Sequence, residues 1–288
     1  MVTIEKLLKD GIDIIKKREY NNPLLDVQLM LSYLLEKDKI YLFLHRKDEV
    51  DDFIAEKFYE MAKKRSDGFP LQYMTNSQEF MGLDFYIQEG ILVPRPDTEI
   101  LVEKIIKIVN SSEMKNKQVK ILDIGTGSGA IAVSLAYYLK NSVVTAVDIS
   151  DIAVKTTNIN IKRRNLNNIQ TVKADVFDEN FILEKFHIVV SNPPYIERDV
   201  IKELPLEVST YEPKLALDGG VDGLDFYRRI LEVFEKIHEE KALLSVEIGY
   251  NQKDAVKEMF FNSKLFNSIE TDKDFGGNDR VVTAYCVN

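Results

Sequence analysis

Four consecutive residues, Asn192-Pro193-Pro194-Tyr195, carry the groups in this chain that point most directly to chemistry. They follow the apolar run 186–191, which is typical of a buried strand. Proline lacks an N–H and fixes φ, so two prolines in succession must end the strand in a stiff turn. The side-chain oxygen of Asn192 and the carbonyl oxygen of Pro193 then form two acceptors beside the Tyr195 ring. Such a pair suits a planar NH2 group, as found on amides, adenine and cytosine.

A second pattern, upstream of that turn, predicts a site for a cofactor that contains adenosine. Residues 121–130 have the order strand, glycine loop, start of a helix. Glycine permits positive φ and a close approach to a ligand, and a helix N-terminus offers free N–H groups. Asp148 ends the next strand, where its carboxylate can accept hydrogen bonds from both hydroxyls of a ribose. The loop residues expected to bind the cofactor are Gly125, Thr126, Gly127, Ser128 and Gly129.

The glycine loop alone leaves the cofactor open. Gly125, Gly127 and Ala130 fit a dinucleotide fingerprint nearly as well as an S-adenosylmethionine site. The turn at Asn192 could likewise be an ordinary Asn-Pro turn at a strand end. Taken together, the two patterns favour methyl transfer to nitrogen, because hydride transfer has no use for two acceptors that hold an NH2 group. The pair therefore predicts a methyltransferase that uses S-adenosylmethionine.

Two further acidic positions extend the predicted cofactor site. Asp123 ends the first strand and could orient the ammonium group of the cofactor, or could merely brace the loop. Asp175 and Val176 follow the third strand, where an adenine ring would lie between apolar side chains. Val176 could pack on that ring or be an ordinary core valine. Both interpretations stay open for Asp123 and for Val176.

From residue 119 onward, strands and helices alternate along the sequence. This order predicts a mostly parallel sheet with helices on both faces, and the last two strands can pair only in antiparallel fashion. The segment 196–223 is too long for an idle connection. The expected strands are 119–124, 143–147, 169–172, 186–190, 242–248, 265–270 and 280–287. The expected helices are 130–139, 152–164, 224–238 and 252–261.

Residues 1–75 are predicted to be helical throughout and to form a small bundle. Thr3 is a candidate N-cap for the first helix. Asn22 and Pro23 open the second, because proline is tolerated in a first helical turn. The bundle carries no chemistry of its own, so its role is either packing or recognition of a partner.

Residues 76–94 are predicted to form a β-hairpin linker with Gly82 at its turn. The catalytic domain is expected to span 95–288. A rigid proline-rich stretch begins it, and Asp97 or Thr98 is expected to cap the helix that follows.

The composition limits the class of protein. Hydrophobic residues make up 45% and charged residues 30%, values typical of a soluble globular protein. No apolar run reaches the roughly 18 residues of a membrane span, and the N-terminus lacks the layout of a signal peptide. The single Cys286 fits a reducing cytoplasm. The three histidines lack metal-ligand spacing. We therefore expect a cytoplasmic protein without a metal site.

The net charge of −9 bears on the partner. Residues 1–75 carry −1 of it, so −8 falls on residues 76–288, which hold the predicted site. Phosphate backbones are bound mainly by Lys and Arg, so this balance disfavours a duplex nucleic acid as substrate. A basic protein partner would instead be attracted.

These motifs resemble the HemK/PrmC family of N5-glutamine methyltransferases over essentially the whole chain. The stretch 94–99 together with the turn 192–195 is specific to that family, whereas the turn alone is shared with adenine-N6 methyltransferases. The matching motifs are PLQY (70–73), EFMGL (79–83), PRPDTE (94–99), DIGTGSGA (123–130), SNPPYI (191–196), YEP (211–213), LDGGVDGL (217–224), EIG (247–249) and DRVV (279–282).

The resemblance implies a Rossmann-like, seven-stranded class I methyltransferase domain, a small N-terminal helical domain that recognises the substrate, and a β-hairpin linker. It implies S-adenosyl-L-methionine as cofactor and, as substrate, the glutamine of the Gly-Gly-Gln loop in class 1 peptide chain release factors. A monomer that does not bind nucleic acid directly is expected. Two departures from the family pattern affect turns: Asn76 replaces a usual glycine, and residues 239–241 lack one.

The expected mechanism is a direct displacement: the glutamine nitrogen attacks the sulfonium methyl group, the methyl–sulfur bond breaks, and the methylated nitrogen, now strongly acidic, loses a proton to water. An amide nitrogen is a poor nucleophile, because its lone pair is delocalised into the carbonyl. Hydrogen bonds to Asn192 and to the Pro193 carbonyl would return electron density to the nitrogen and orient it. Tyr195 would stack on the amide plane. Arg95 and Glu99 could help to close the pocket, or could only tie down the start of a helix.

Three alternatives remain at this point. An adenine-N6 methyltransferase would use the same grip on an NH2 group, although the acidic catalytic half disfavours it. A nicotinamide oxidoreductase is supported only by the glycine loop and Asp148. A release-factor-binding protein that has lost turnover is disfavoured by the intact turn at 192–195.

Overall fold

The computed structural model describes residues 2–17, 21–181 and 184–286. Within these ranges the chain forms two compact units. The first contains the residues up to Ser77 and the segment Leu204–Tyr211, and the second contains Gln78–Glu203 and the residues from Glu212 onward. The predicted excursion 196–223 therefore contributes to both units.

The first unit consists mainly of short helices. The Thr3 side chain accepts a hydrogen bond from the Lys6 N–H, which confirms the predicted cap. The second helix begins at Pro23 as predicted, and the Asn22 side chain accepts from the Leu25 N–H. Its elements are β1 (Val2–Thr3), α1 (Ile4–Ile14), α2 (Pro23–Leu35), α3 (Lys39–Leu44), β2 (Glu49–Val50), α4 (Asp52–Ser66) and α5 (Leu71–Thr75). The prediction of helix throughout was wrong at β1 and β2, which pair in antiparallel fashion because backbone groups at the two helix starts satisfy one another.

Arg65 is a buried cation within the first unit. Its Nε lies 2.7 Å from Asp26 Oδ2, and its Nη1 lies 2.9 Å from Glu207 Oε2. A buried charge is tolerated only when it is paired and hydrogen-bonded. Arg65 thus joins α4 to α2 and to the segment Leu204–Tyr211, which no sequence pattern predicted.

The second unit begins with the predicted hairpin, and Gly82 at its turn has a φ of 67°. Asn76, which precedes the hairpin and replaces a usual glycine, has a left-handed conformation with a φ of 52°, which asparagine tolerates better than most residues. The helices are α6 (Glu99–Ser111), α7 (Ala130–Tyr138), α8 (Asp151–Arg163), α9 (Asp225–Ile237) and α10 (Lys253–Asn262). The strands are β3 (Gln78–Phe80), β4 (Leu83–Phe85), β5 (Val119–Ile124), β6 (Ser142–Asp148), β7 (Ile169–Lys173), β8 (Phe186–Ser191), β9 (His238–Glu247), β10 (Phe266–Lys273) and β11 (Asp279–Cys286).

Seven strands among the described residues form one sheet in the order β10-β11-β9-β8-β5-β6-β7. Strands β9, β8, β5, β6 and β7 are parallel, and β11 is antiparallel to both of its neighbours. The predicted Rossmann-like sheet and its antiparallel last pair are therefore confirmed. The predicted last residue of β11, 287, lies outside the described residues.

Most element boundaries shift by one to three residues from the prediction, and two features differ in kind. Strand β9 starts at His238 instead of 242, directly after α9, because the charged residues 239–241 extend the strand instead of forming a turn. Thr98 stands at the N-terminus of α6 but makes no capping hydrogen bond, and neither does Asp97. The predicted cap was wrong because the Thr98 hydroxyl is bonded elsewhere. No helix in the described ranges is long and apolar enough to cross a bilayer.

Candidate active site

The carboxyl ends of the adjacent strands β8, β5 and β6 bring the predicted site residues to one edge of the sheet. A cavity of about 570 Å³ opens there. Such an edge is where open α/β sheets bind their ligands. The predicted residues that line the cavity are Gly125, Thr126, Gly127, Ser128, Asp148, Asp175, Val176, Asn192, Pro193 and Pro194. Asp123, Gly129 and Tyr195 do not line it.

Two glycines of the loop after β5 leave room for a ligand. Gly125 has a φ of 75° and Gly127 a φ of 57°, and a Cβ built on either would meet no atom within 4 Å. Gly129 differs, because its Cβ would lie 2.8 Å from Thr157 Cγ2. Gly125 and Gly127 thus form an open cradle, whereas Gly129 allows the close packing of α7 on α8.

Asp148 holds the glycine loop while it faces the cavity. Its Oδ2 accepts from the Gly127 N–H at 2.9 Å, and its Oδ1 accepts from the Ser150 N–H at 2.9 Å. Burial raises the pKa of this carboxyl above its ordinary value, and the backbone hydrogen bonds oppose that rise. Each oxygen keeps a second lone pair, so Asp148 can also accept from the hydroxyls of a ribose.

Asp123 lies beneath the loop and is fully buried. Its Oδ2 accepts from the Thr126 hydroxyl at 2.7 Å, whereas its Oδ1 is buried without a hydrogen-bond partner among the described residues. Burial, and to a smaller degree the charge of Asp148, raises the pKa of Asp123 to about 7. An orphaned buried oxygen is costly, so this atom fits a donor from a ligand or a water molecule.

An apolar wall follows β7, and the sequence identified only part of it. Asp175 Oδ1 accepts from the Phe177 N–H at 2.8 Å, which sets the turn after the strand. Val176 and Phe177 both line the cavity, and Phe177 contacts Phe226 edge-to-face with ring centroids 5.0 Å apart. These side chains suit a flat aromatic ring such as adenine. Sequence reasoning placed Phe177 in this stretch without giving it a role and missed Phe226, because an apolar residue near a strand end resembles any core residue.

Asn192 is bonded to a polar pair that sequence reasoning did not connect to it. Its Nδ2 donates to Thr98 Oγ1 at 3.1 Å, and the Thr98 hydroxyl donates to Glu247 Oε2 at 2.6 Å. Burial raises the pKa of Glu247 to about 7, and the hydrogen bond from Thr98 and the charge of Arg280 oppose that rise. The amide nitrogen of Asn192 is therefore engaged, and its oxygen accepts no hydrogen bond from the residues that the structure describes.

The second predicted acceptor is the carbonyl oxygen of Pro193. Pro193 lines the cavity, and no hydrogen bond reaches its carbonyl oxygen from the described residues. Ser191, just before the turn, donates to the Ile124 carbonyl at 2.7 Å and so fixes the end of β8 against β5. The turn is therefore anchored at its start, with one backbone acceptor still available.

Tyr195 lies behind the turn. Its ring packs against the core of the second unit, and its hydroxyl donates to Glu247 Oε1 at 3.3 Å. Burial raises the pKa of this phenol well above its ordinary value, so it stays protonated. The stacking role of Tyr195 on a substrate amide remains a prediction.

Residues 217–223 pack against the end of the turn and hydrogen-bond to it through the backbone. Ile196 donates to the Leu217 carbonyl at 3.0 Å and accepts from the Gly219 N–H at 2.9 Å. A Cβ on Gly219 would lie 2.8 Å from the Tyr195 Cα, and one on Gly223 would lie 2.5 Å from the Tyr195 carbonyl oxygen. These glycines therefore permit a backbone approach that no other residue allows. The sequence marked them as a motif without giving their role.

Arg95 lies at the cavity, whereas Glu99 lies at the hairpin. Arg95 lines the cavity, and its Nη2 donates to both oxygens of Glu212, at 2.8 and 2.7 Å. Glu99 accepts from the Met81 N–H at 2.5 Å and so ties α6 to the hairpin. Of these two, only Arg95 belongs to the cavity wall.

Two family models match parts of this chain. The family model described as the PrmC N-terminal domain matches residues 6–75, and the one described as the methyltransferase small domain matches residues 97–205. A solved structure of a methyltransferase from Pyrococcus furiosus is 20% identical, covers 71% of this chain and 89% of that chain, and has a TM-score of 0.52. That likeness concerns the fold alone.

Two curated relatives match nearly the full length. The release factor glutamine methyltransferase of Clostridium acetobutylicum is 42% identical over 261 residues, which covers 90% of this chain and 90% of that protein. The protein of the same name from Clostridium botulinum is 38% identical over 285 residues, covering 98% of each.

Proposed function

The chain belongs to the release factor glutamine methyltransferase family, and on that premise we propose that it methylates the side-chain nitrogen, N5, of a glutamine in a peptide chain release factor. The observation that carries the proposal is the turn after β8. Asn192 and Pro193 line the same cavity as the glycine loop, and the Asn192 nitrogen is bonded to Thr98, which supports the Asn192 oxygen and the Pro193 carbonyl as the acceptor pair. A nitrogen donor and a cofactor can therefore meet there.

The cavity fits S-adenosylmethionine in three respects. Gly125 and Gly127 leave an open cradle, and Asp148 offers acceptors for ribose hydroxyls. The wall at Val176 and the neighbouring phenylalanines suits adenine. When bound, this cofactor supplies an electrophilic methyl group on a positively charged sulfur.

The residues of the turn act on the substrate nitrogen. A carboxamide NH2 has two hydrogens, and Asn192 Oδ1 and the Pro193 carbonyl supply two acceptors for them. Both acceptors are fixed, so they can orient the nitrogen at little entropic cost during the reaction. Accepting both N–H bonds also stabilises the positive charge that develops on the nitrogen. Pro194 lines the cavity beside these acceptors, and Tyr195 supports the turn from behind.

We extend the proposal to the partner. The substrate is the glutamine of the Gly-Gly-Gln loop of a class 1 release factor, and the helical residues 1–75 recognise the body of that protein. The chain acts as a monomer and does not bind nucleic acid directly. The charge of −8 on residues 76–288 supports a basic protein surface as the partner and disfavours a phosphate backbone.

Mass spectrometry of a release factor co-expressed with this chain tests the proposal. One added methyl group on the loop glutamine is expected, and a release factor with asparagine at that position should stay unmodified. Incubation with labelled cofactor and total RNA or DNA is the matched control. Label in nucleic acid, with an unmodified release factor, would contradict the proposal and favour an adenine-N6 methyltransferase.

A further inference from the structure

The Asn192 amide can point either its oxygen or its NH2 group toward the cavity. The oxygen and the NH2 group of a carboxamide have nearly the same shape, so packing cannot distinguish its two orientations and only hydrogen bonds can. The orientation matters, because a substrate NH2 group can bind the oxygen but is repelled by a second NH2 group.

The hydrogen bonds of Thr98 and Glu247 determine which way the Asn192 amide points, because the Thr98 hydroxyl has only one proton to donate. Above about pH 7, where Glu247 is ionised, its carboxylate only accepts, so the Thr98 hydroxyl must donate its single proton to Glu247 Oε2, 2.6 Å away. The Thr98 oxygen can then only accept from its other neighbour. The Asn192 atom 3.1 Å from it must therefore be the nitrogen. The amide oxygen is left for the cavity.

We propose that Thr98 and Glu247 are positioning residues that lock the Asn192 amide with its oxygen toward the substrate nitrogen. This inference rests on the proposed function. Thr98 is 4% exposed and Glu247 is 1% exposed, so water does not compete for these hydrogen bonds. Glu247 also accepts from the Tyr195 hydroxyl at 3.3 Å through its other oxygen. The Glu247 carboxylate thus binds Tyr195 directly and Asn192 through Thr98, so it fixes the first and last residues of the turn.

The isosteric substitution Thr98→Val tests the proposal. It keeps the shape of the side chain but removes the acceptor for Asn192 Nδ2, so the amide can flip. We expect kcat to fall about tenfold or more, while the KM for the release factor and the Kd for S-adenosylmethionine change by less than roughly twofold. Thr98→Ser, which restores the hydroxyl, should recover most of the native kcat.

Thr145→Val is a matched control. Thr145 is buried, and its hydroxyl also accepts from a side-chain amide, that of Gln170, at 3.2 Å, but it does not line the cavity. Its substitution costs a similar hydrogen bond and should leave kcat unchanged. Should Thr98→Val fail to fold, Thr98→Ala removes the same acceptor without adding a methyl group and gives the same expectation. A native kcat in the Thr98 variant, or an equal loss in the control, would overturn the proposal.

A measurement without turnover separates this inference from the proposed function. The side-chain NH2 resonance of Asn192 is identified by its disappearance in Asn192→Asp. In the native chain its hydrogens should exchange slowly with solvent, and in Thr98→Val the protection should be lost. Equal exchange in both proteins would overturn the inference. A native chain that fails to methylate release factor would instead overturn the proposed function, and the exchange result would still decide the orientation.

Discussion

Arg95 and Glu212 join two distant parts of the sequence at the wall of the cavity. One guanidinium nitrogen of Arg95 lies 2.8 and 2.7 Å from the two carboxylate oxygens of Glu212, which is 4% exposed. Residues 213–216, directly after Glu212, line the cavity. Because a buried carboxylate needs a cation, this ion pair fixes that part of the wall.

Arg95→Ala should therefore weaken both stability and cofactor binding. We expect the free energy of unfolding to fall by about 2 kcal/mol, less than for a fully buried pair because Arg95 is partly exposed. Thermal denaturation measures this loss, and calorimetry should give a severalfold higher Kd for S-adenosylmethionine. Lys117→Ala removes an exposed ion pair to Glu113 and should change neither value. An equal effect of both substitutions would contradict the assignment.

Asp148→Ala should affect cofactor binding first. The substitution removes the acceptors that hold the Gly127 and Ser150 N–H groups, together with the expected partners of the ribose. We expect the Kd for S-adenosylmethionine to rise by about tenfold or more, while kcat at saturating cofactor stays nearer the native value. Titration calorimetry and steady-state kinetics measure the two quantities. Native affinity in this variant would exclude Asp148 from the cofactor site.

Glu247 should make stability depend on pH. Burial raises its pKa from 4.5 to about 7, against the opposing effects of Thr98, Arg280 and Tyr195 and with a smaller contribution from Asp97. Between these two pH values the folded chain retains a proton that the unfolded chain has released. The contribution of this proton to the free energy of unfolding is therefore fully present below about pH 4.5. It is lost as the pH rises through about 7, and the loss is on the order of 3 kcal/mol.

Thermal denaturation of the native chain and of Glu247→Gln from pH 5 to 8 tests this dependence. The native Tm should fall as the pH rises. The variant should show a shallower fall, with the remaining slope due in part to Asp123, whose pKa is also raised to about 7. Identical slopes in the two proteins would show that Glu247 does not titrate in this range.

Gly219→Ala should displace the turn that carries Asn192. The added Cβ would lie 2.8 Å from the Tyr195 Cα and 2.9 Å from the Pro194 carbonyl oxygen, and backbone cannot move away as a flexible side chain can. We expect kcat to fall about 10²-fold, the scale of a displacement of about 1 Å in a site. At Gly276 an added Cβ meets only side-chain atoms, at 3.2 Å, so Gly276→Ala should keep the native rate. Equal rates in the two variants would mean that the packing of Gly219 against the Tyr195 backbone does not position the turn.

Much of the second unit could be predicted from the sequence. The alternation of strands and helices predicts a parallel sheet, and the carboxyl ends of parallel strands lie at one edge. The grouping of Gly125, Asp148 and Asn192 followed from that rule, because each comes at the end of its strand. No side-chain contact had to be known.

The partners of individual side chains could not be predicted in the same way. Thr98 resembles a helix cap in the sequence, and only the fold brings it to Glu247, 149 positions away. Gly219 and Gly223 indicate in the sequence that the backbone there is either unusual or closely packed. Only the tertiary structure shows that they approach the Tyr195 backbone. Leu204–Tyr211 belongs to the first unit, where its Glu207 pairs with the buried Arg65, and local sequence does not encode that pairing.

The rate of Asn192→Ala on a release factor tests the central claim most directly. Its Kd for S-adenosylmethionine, measured by calorimetry, serves as the control for an intact cofactor site. The acceptor pair predicts that kcat falls by about 10² or more, the usual effect of removing one fixed hydrogen-bonding group from an active site, with the Kd unchanged. Methylation of the glutamine at the native rate by Asn192→Ala would contradict the account.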